Sequence, residues 1–305
     1  MNASIVLATR DRRESLAATL SALDALRTPP AFTWEVIIAD NGSTDGTADL
    51  VTGGARHRFP LRRITEPRRG KSRALNAAIG AAAGEVIAFL DDDVRPAPDW
   101  LERIFRPLAE HGADAVTGTV RLAPGRLRPW MSATHRAWLA ETTPGGDGVG
   151  ANLAIRRQTL AVVPRFDPEL GPGALGLRED TLFLAQLRAA RLRVVAAPEA
   201  VAEHHFDETR LDRAAWLRHA AAQGRSEAYV AWHWDHSPDH RSLTRELALR
   251  LRLAARRARR RRTGPAPEWE LDLLTGIAFE HQWRRERIRR RAYERRGPRK
   301  SAGPP

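Results

Sequence analysis

The sequence predicts an α/β protein, a doubly wound mixed sheet with a basic helical extension at its C-terminal end. Three observations carry that prediction. Short β-branched strands alternate with helix-patterned segments through the first 120 residues, and three of those strands are nearly continuous apolar runs. The net charge of +13 is confined to the end of the chain, where 241–305 holds 20 Lys/Arg against 7 Asp/Glu and 1–240 holds 30 of each.

The strands are expected at Ser4–Thr9, Glu35–Ala39, Leu61–Thr65, Glu85–Leu90 and Ala113–Val120. Helices are expected between them, at Arg12–Leu26, Asp45–Gly53, Lys71–Ala82 and Pro98–Glu110. Apolar runs without alternation mark strands covered by helices on both faces of a parallel sheet. The middle is less regular. It carries a Trp-bearing helical stretch near Pro129–Glu141, a glycine-rich turn at 144–152 and a loop at 166–180. A helix at about Glu179–Ala190, a strand at Arg193–Ala197 and a helix at about Arg210–Trp232 follow. Two basic helices, roughly 241–262 and 268–296, are split at Gly264-Pro265.

Composition narrows the chemistry. At 305 residues and 42% hydrophobic, the chain can build one large core plus an appendage. The absence of cysteine excludes disulfides, thiolate metal sites and cysteine nucleophiles. The N-terminal apolar stretch is too short for a secretory signal, and Ala74–Leu90 is interrupted by Asn76, Gly80, Gly84 and Glu85, so a soluble, cytoplasmic protein is expected. No nucleic-acid partner is expected, because the body carries no net positive charge.

Sheets of this kind bind ligands outside the carboxyl ends of their strands. The first strand ends in Thr9-Arg10-Asp11, the second in Asp40-Asn41-Gly42-Ser43-Thr44-Asp45 and the fourth in Asp91-Asp92-Asp93, so one pocket can gather three polar clusters. Three consecutive carboxylates repel one another unless a cation neutralises them. Oxygen ligands suit Mg²⁺ or Mn²⁺ shared with substrate phosphates. In an extended chain Asp91 and Asp93 point one way and Asp92 the other. A solvated acidic turn is the plainer alternative. In the second cluster Thr44 or Asp45 caps the helix and leaves Asp40 to accept hydrogen bonds from a base or ribose.

Arg68-Arg69-Gly70-Lys71-Ser72-Arg73 is not a phosphate loop, since Thr65 stands where that pattern needs glycine, but Lys71 and Arg73 at a helix start can meet a pyrophosphate. Gly171, Gly173 and Gly176 match G-x-G-x-x-G in letters alone, because no hydrophobic strand precedes them. Glu179-Asp180 opens a helix, as a cap or as the display of a general base. Of the adjacent His204 and His205 in a strand, at most one can be a ligand. His233, His236 and His240 with Asp235 and Asp239 form a weaker metal candidate.

The ordered motifs SIVLATRDR (4–12), EVIIADNGSTDGT (35–47), GKSRALNAAIGAAAGEVIAFLDDD (70–93), GANLAIRR (150–157), FDPELG with REDTLFLAQLRAAR (166–191) and AEHH (202–205) resemble bacterial family 2 glycosyltransferases. The resemblance covers roughly residues 4 to 230. It implies the GT-A fold, a Rossmann-like doubly wound mixed sheet, over 1–235, with a nucleotide-binding half at 1–120, an acceptor-binding half at 121–235 and a basic extension at 236–305. It further implies transfer of a sugar from a nucleotide-diphospho-sugar, uridine being the family's commonest base, to a carbohydrate, lipid-linked or small-molecule hydroxyl with inversion.

By the same resemblance Asp180, beside Glu179, is the catalytic base. Asp40 with Asn41 and Ser43, and the Thr9, Arg10, Asp11 loop, line the nucleoside. Asp91 and Asp92 meet the donor, and Asp93 with Asp91 and His204 binds Mn²⁺ or Mg²⁺. Ala74-Leu75-Asn76 departs from the family's A-R-N, so Lys71 or Arg73 takes over that arginine's contact. A sugar-nucleotide pyrophosphorylase would need a glycine-rich loop after strand one, which is absent.

Leu243, Leu247, Leu251, Ala254 and Ala258 recur at helical spacing and are expected to pack on the body. Arg256–Arg262 and Arg284–Arg296 then face outward, toward an anionic membrane surface (the inner face) or a lipid-phosphate acceptor, or simply toward solvent. The alternative from another class is a catalytically degenerate domain that binds membranes or polyanions through its Arg-rich tail.

Overall fold

The structure, a computed structural model, describes residues 2–28, 32–54, 56–143, 145–146, 148–238, 242–258 and 264–299. It divides into two compact units, the first comprising 1–168 with 183–206 and the second 169–182 with 207–305.

The first unit holds the sheet. Its strands are β1 (Asn2–Thr9), β2 (Thr33–Asp40), β3 (Leu61–Thr65), β4 (Val86–Asp91), β5 (Val94–Pro96), β6 (Ala115–Leu122), β7 (Asn152–Arg156) and β8 (Val194–His204), in spatial order β3-β2-β1-β4-β7-β6-β8-β5. β1 pairs in parallel with β2 and β4, and β2 with β3; β7 runs antiparallel to both β4 and β6. The helices are α1 (Arg13–Asp24), α2 (Thr47–Thr52), α3 (Lys71–Ala81), α4 (Trp100–Glu110), α5 (Ala133–Trp138) and α6 (Glu179–Ala189).

The apolar strands are explained by burial on both faces. Ile5, Leu7, Val36, Ile38 and Leu90 pack in one core with Leu16, Leu20, Trp100 and Phe105. The alternate residues Val6, Ile37, Ile87 and Phe89 pack in a second core with Leu75, Ile79, Phe166 and Phe183. Successive side chains leave a strand on opposite faces, so a strand buried on both faces has no polar phase.

Three elements differ from the expectation. β7 begins at Asn152, inside the stretch expected as a glycine-rich turn. The Trp-bearing helix near 129–141 shortens to α5, six residues closed by a Ser132–His135 capping box. β8 continues to His204 through Pro198, with a register shift against β6 between Gly118 and Thr119. A side chain at Gly118 would strike Asn152 and the Ala200 carbonyl. Asn152 holds that irregularity, donating to the Thr119 and Ala200 carbonyls at 3.0 and 2.8 Å while its oxygen accepts from Trp100 Nε1 at 2.9 Å.

The second unit is helical, with α7 (Arg213–His233), α8 (Ser242–Ala258) and α9 (Glu268–Glu286). α7 and α9 approach closely at Gly224, where a Cβ would meet the Thr275 carbonyl. The glycine loop at 171–176 closes on itself through Gly176 N–H to Gly171 O at 3.0 Å, and Leu177 N–H donates to Ser226 Oγ on α7 at 3.2 Å.

Two expectations for the extension are overturned. The helix expected to run to 296 ends at Glu286. Beyond it the chain folds back on the end of α7: Ala292 N–H donates to His233 Nδ1 at 2.9 Å, the Arg291 guanidinium lies 3.9 Å over the Trp232 ring, and Tyr293 is fully buried against Trp234. Burying Tyr293 outweighs continuing an exposed arginine helix. The leucine stripe of α8 is not covered by its own unit: Leu243, Leu247 and Leu251 are 68%, 59% and 62% exposed. α8 instead turns Ser242, Glu246 and Leu253 inward, with Ser242 Oγ donating to the Glu280 carbonyl and Glu246 paired with Arg284 at 2.6 Å. No helix among the described residues is long and apolar enough to cross a membrane.

Candidate active site

Sheet register assembles the site. Thr9 lies opposite Asp40, Ala8 opposite Asp91, and Asp40 opposite Thr65, so the ends of β1, β2, β3 and β4 are level. His204 ends β8 beside Val94 of β5, which follows the aspartate triplet directly.

The triplet is not extended. The chain turns at Asp92 and Asp93 between β4 and β5, so the alternation expected for Asp91, Asp92 and Asp93 does not hold, and Asp92 and Asp93 share one partner. That partner is Arg12. Its Nη1 lies 3.2 Å from Asp92 Oδ1 and 2.5 Å from Asp93 Oδ2. Thr9 Oγ1 donates to Asp92 Oδ2 at 2.7 Å, while Ser15 and Thr19 hydroxyls donate to the Asp92 carbonyl. Lys71 Nζ lies 2.6 Å from Asp91 Oδ1. The protein thus supplies its own cations to the three carboxylates. Arg12 lay outside the expected set. The available signal was a cation within a strand-end loop that faces an acidic strand end.

Burial sets the electrostatics. Asp92 and Asp93 are only 6% and 4% exposed. Burial pushes the Asp92 carboxyl up to about 6, with Arg12 opposing and the Asp93 charge assisting. Burial alone would raise Asp93 too, but hydrogen bonds and charge from His204 and Arg12 overcome it and hold that carboxyl far below its ordinary value. His204 Nε2 lies 3.3 Å from Asp93 Oδ2, and its Nδ1 lies 2.6 Å from the Leu139 carbonyl. His205 turns the other way, to Glu203 at 3.3 Å.

The donor set fits a divalent ion. Adjacent ligands on an octahedral ion stand about 3 Å apart, close to the Asp93–His204 separation of 3.3 Å. The Nδ1 contact with a backbone carbonyl orients the imidazole as in metal sites generally. Among the described residues no group of three or more His, Asp or Glu is arranged as a ready-made cage.

The second cluster is architectural at its core. Asp40 is fully buried; Oδ1 accepts from Ser43 N–H at 2.8 Å, and Oδ2 accepts from Arg63 at 2.8 and 3.0 Å. Burial raises its carboxyl, and these bonds more than reverse that, so it stays ionised. Asn41 clamps the next loop, donating to the Glu66 and Arg68 carbonyls at 2.7 and 2.9 Å and accepting from Gly70 N–H at 2.8 Å. Gly70, at φ +139°, lets the chain enter α3 so that Lys71 reaches Asp91; Arg73 lies half-buried one turn on. Asp11 accepts from Thr44 N–H and pairs with Arg10 at 3.6 Å, which ties the first and second loops together. Asn41→Ala leaves one donor and two carbonyls without their partner, and is expected to cost about 2–3 kcal/mol, read as a lower denaturant midpoint.

In the second unit Asp180 opens α6 half-buried, its Oδ1 accepting from Thr181 N–H at 2.7 Å, and Glu179 beside it is buried. Among the described residues the weaker histidine candidate forms no metal-holding group. His233 pairs with Glu286 at 3.0 Å and His236 with the Tyr293 carbonyl at 3.0 Å, while Asp239 and His240 lie outside the described residues.

Residues 4–165 match the family model of glycosyl transferase family 2. The chain belongs to that family. Among relatives, this family 2 glycosyltransferase is 32% identical over 212 residues to the succinoglycan biosynthesis protein ExoM of Rhizobium meliloti (strain 1021), covering 68% of this chain and 67% of ExoM. It is 31% identical over 118 residues to glycosyltransferase AglE of Haloferax volcanii, covering 38% of each. Its fold is similar to that of mannosyltransferase PcManGT from Pyrobaculum calidifontis, solved with GDP-Man and Mn²⁺, at TM-score 0.55 and 20% identity over 92% of this chain and 69% of that one. It is likewise similar to S. aureus TarS 1-349, solved with UDP, at TM-score 0.54 and 16% identity over 93% of this chain and 92% of that one. The family 2 enzyme therefore has a GT-A mixed sheet, as its sequence predicts.

Proposed function

We propose that this family 2 enzyme transfers a sugar from a nucleoside-diphosphate sugar, with UDP as the expected carrier, to an acceptor hydroxyl with inversion. The observation that carries the reading is the gathering of Asp91, Asp92 and Asp93 with Lys71, Arg12 and His204 at the carboxyl ends of the sheet. Cations interleaved with carboxylates suit a diphosphate, which can take over Lys71 while its charge is offset by a divalent ion.

In this mechanism Asp180 accepts the proton of the acceptor hydroxyl as its oxygen attacks the anomeric carbon, with Glu179 beside it. The bond from that carbon to the diphosphate oxygen breaks as the new one forms, and the nucleoside diphosphate leaves with the electron pair. One displacement inverts the centre. Asp93 and His204, with Asp91, would hold Mn²⁺ or Mg²⁺, whose chemistry there is to neutralise the departing diphosphate. Lys71 and Arg73 orient the phosphates. The Thr9, Arg10, Asp11 loop and the Asp40, Asn41, Ser43 loop line the nucleoside, and Asp92 holds Thr9 and Arg12 in place.

The acceptor is a growing carbohydrate or lipid-linked saccharide, a reading supported by the likeness to a succinoglycan biosynthesis protein. The arginines of 241–305 support work at the cytoplasmic face of an anionic membrane.

A thermal-shift panel of UDP, GDP and their sugars, with Mn²⁺ or with chelator, tests the donor and the ion together. At a hundredfold excess over Kd a ligand stabilises by about 2.7 kcal/mol. A shift with a uridine nucleotide that disappears in chelator is expected. Equal shifts with and without the ion sink the metal assignment, and a shift confined to guanosine nucleotides sinks the uridine one.

A further inference from the structure

Asp93 Oδ2 lies 3.3 Å from His204 Nε2 and 2.5 Å from Arg12 Nη1, so the atom that faces the histidine already holds a cation. The same Nη1 reaches Asp92 Oδ1 at 3.2 Å and bridges two carboxylates that are almost fully buried. Lys71 stands against Asp91, so three carboxylates meet two fixed cations and one net negative charge is left. The Arg12 backbone is held at the start of α1, its carbonyl accepting from Leu16 N–H at 2.9 Å. Its side chain is 34% exposed, which gives the guanidinium a path to water that the two carboxylates lack.

We propose that Arg12 is a resident counterion that keeps a divalent ion off Asp93 until a nucleoside diphosphate arrives. This rests on the reading of Asp93 and His204 as ion ligands, and adds the residue that makes ion and nucleotide binding depend on each other. An ion on Oδ2 at about 2.1 Å would stand within about 5 Å of a nitrogen that holds the same oxygen at 2.5 Å. Positive charges that close repel strongly where water is scarce, so the guanidinium swings out for the ion to enter. One net negative charge attracts a lone divalent ion weakly. A diphosphate brings its own negative charge and oxygen ligands, which shifts the balance toward the ion. By linkage the ion then raises nucleotide affinity by the same factor. A purely structural brace predicts the opposite sign, because removing it would loosen both carboxylates and weaken the site for an ion.

Mn²⁺ binding to the full chain, read from the electron paramagnetic resonance of the free ion with and without UDP or GDP, provides the test. In the wild type one of the nucleotides is expected to tighten Mn²⁺ binding at least about tenfold. Arg12→Gln is expected to bind Mn²⁺ alone at least about tenfold more tightly than the wild type and to lose most of that nucleotide effect. Adding Asp93→Asn to Arg12→Gln is expected to remove the gain. Arg12→Lys, which keeps the charge, is expected to stay close to the wild type. Thermal unfolding checks that each variant is folded. A folded Arg12→Gln whose affinity for Mn²⁺ alone is unchanged or weaker, beside a wild type that shows the nucleotide effect, overturns the proposal and leaves the ion reading standing. An affinity raised equally by Arg12→Lys shows that the charge is not the barrier and also overturns it. The wild type can do so without any variant, if it binds Mn²⁺ as tightly alone as with either nucleotide. No Mn²⁺ binding by wild type or Arg12→Gln under any condition defeats the ion reading and the proposal together.

Discussion

Asp180→Asn is expected to lower kcat by about 10²–10⁴-fold, the range that positioned proton transfer contributes. The substitution keeps the shape of a half-buried side chain whose Oδ1 accepts from Thr181 N–H, and an amide oxygen retains that bond, so α6 keeps its first turn. What it removes is the ability to take a proton from the acceptor hydroxyl. Donor affinity and thermal unfolding should therefore be unchanged while turnover falls. Steady-state transfer with the metal-dependent nucleotide shift measured in parallel separates these quantities. Wild-type kcat in the variant would remove Asp180 from the mechanism.

Asp93→Asn is expected to lower kcat by about 10²–10³-fold, comparable to deleting one preorganised electrostatic contact to a developing anion. Its second signature is distinctive: the Mn²⁺-dependent part of the nucleotide shift should vanish. Asp93 is the carboxylate facing His204 at 3.3 Å, and also the one Arg12 grips at 2.5 Å. Neutralising it leaves the Arg12 guanidinium balanced by Asp92 alone, in a site where both aspartates are buried. Some loss of thermal stability accompanies the variant for that reason, so the decisive readout is the metal-dependent difference within it. A retained difference, with transfer unimpaired, would show that Asp93 does not hold the ion.

The paired cations also explain why the acidic triplet persists without collapsing its strand end. Like charges this close are tolerable when they have cationic partners, and Lys71 stands against Asp91 while Arg12 serves both Asp92 and Asp93.

Much of this molecule was legible in one dimension. The unbroken apolar phase of β1, β2 and β4 follows from burial on both faces, and burial is written directly into residue type. That the polar clusters would gather at the tips of these strands followed from the topology of parallel sheets, since the clusters stood there in the chain. Asn41, by contrast, reads as a turn residue like any other. Its task of holding residues 66–70 depends on a loop 25 residues away.

The sequence alone determined the sheet, its two-sided cores, the family and the basic character of the extension, because hydrophobic period and motif order are local properties of the chain. Only the tertiary structure decided that Arg12 would clasp Asp92 and Asp93, that the chain after α9 would fold back to bury Tyr293, and that α8 would turn its leucines outward. Each of these turns on competition between partners distant in sequence. A helical stripe says that one face is apolar; which face is buried depends on where Glu280, Arg284 and their hydrogen bonds stand in space.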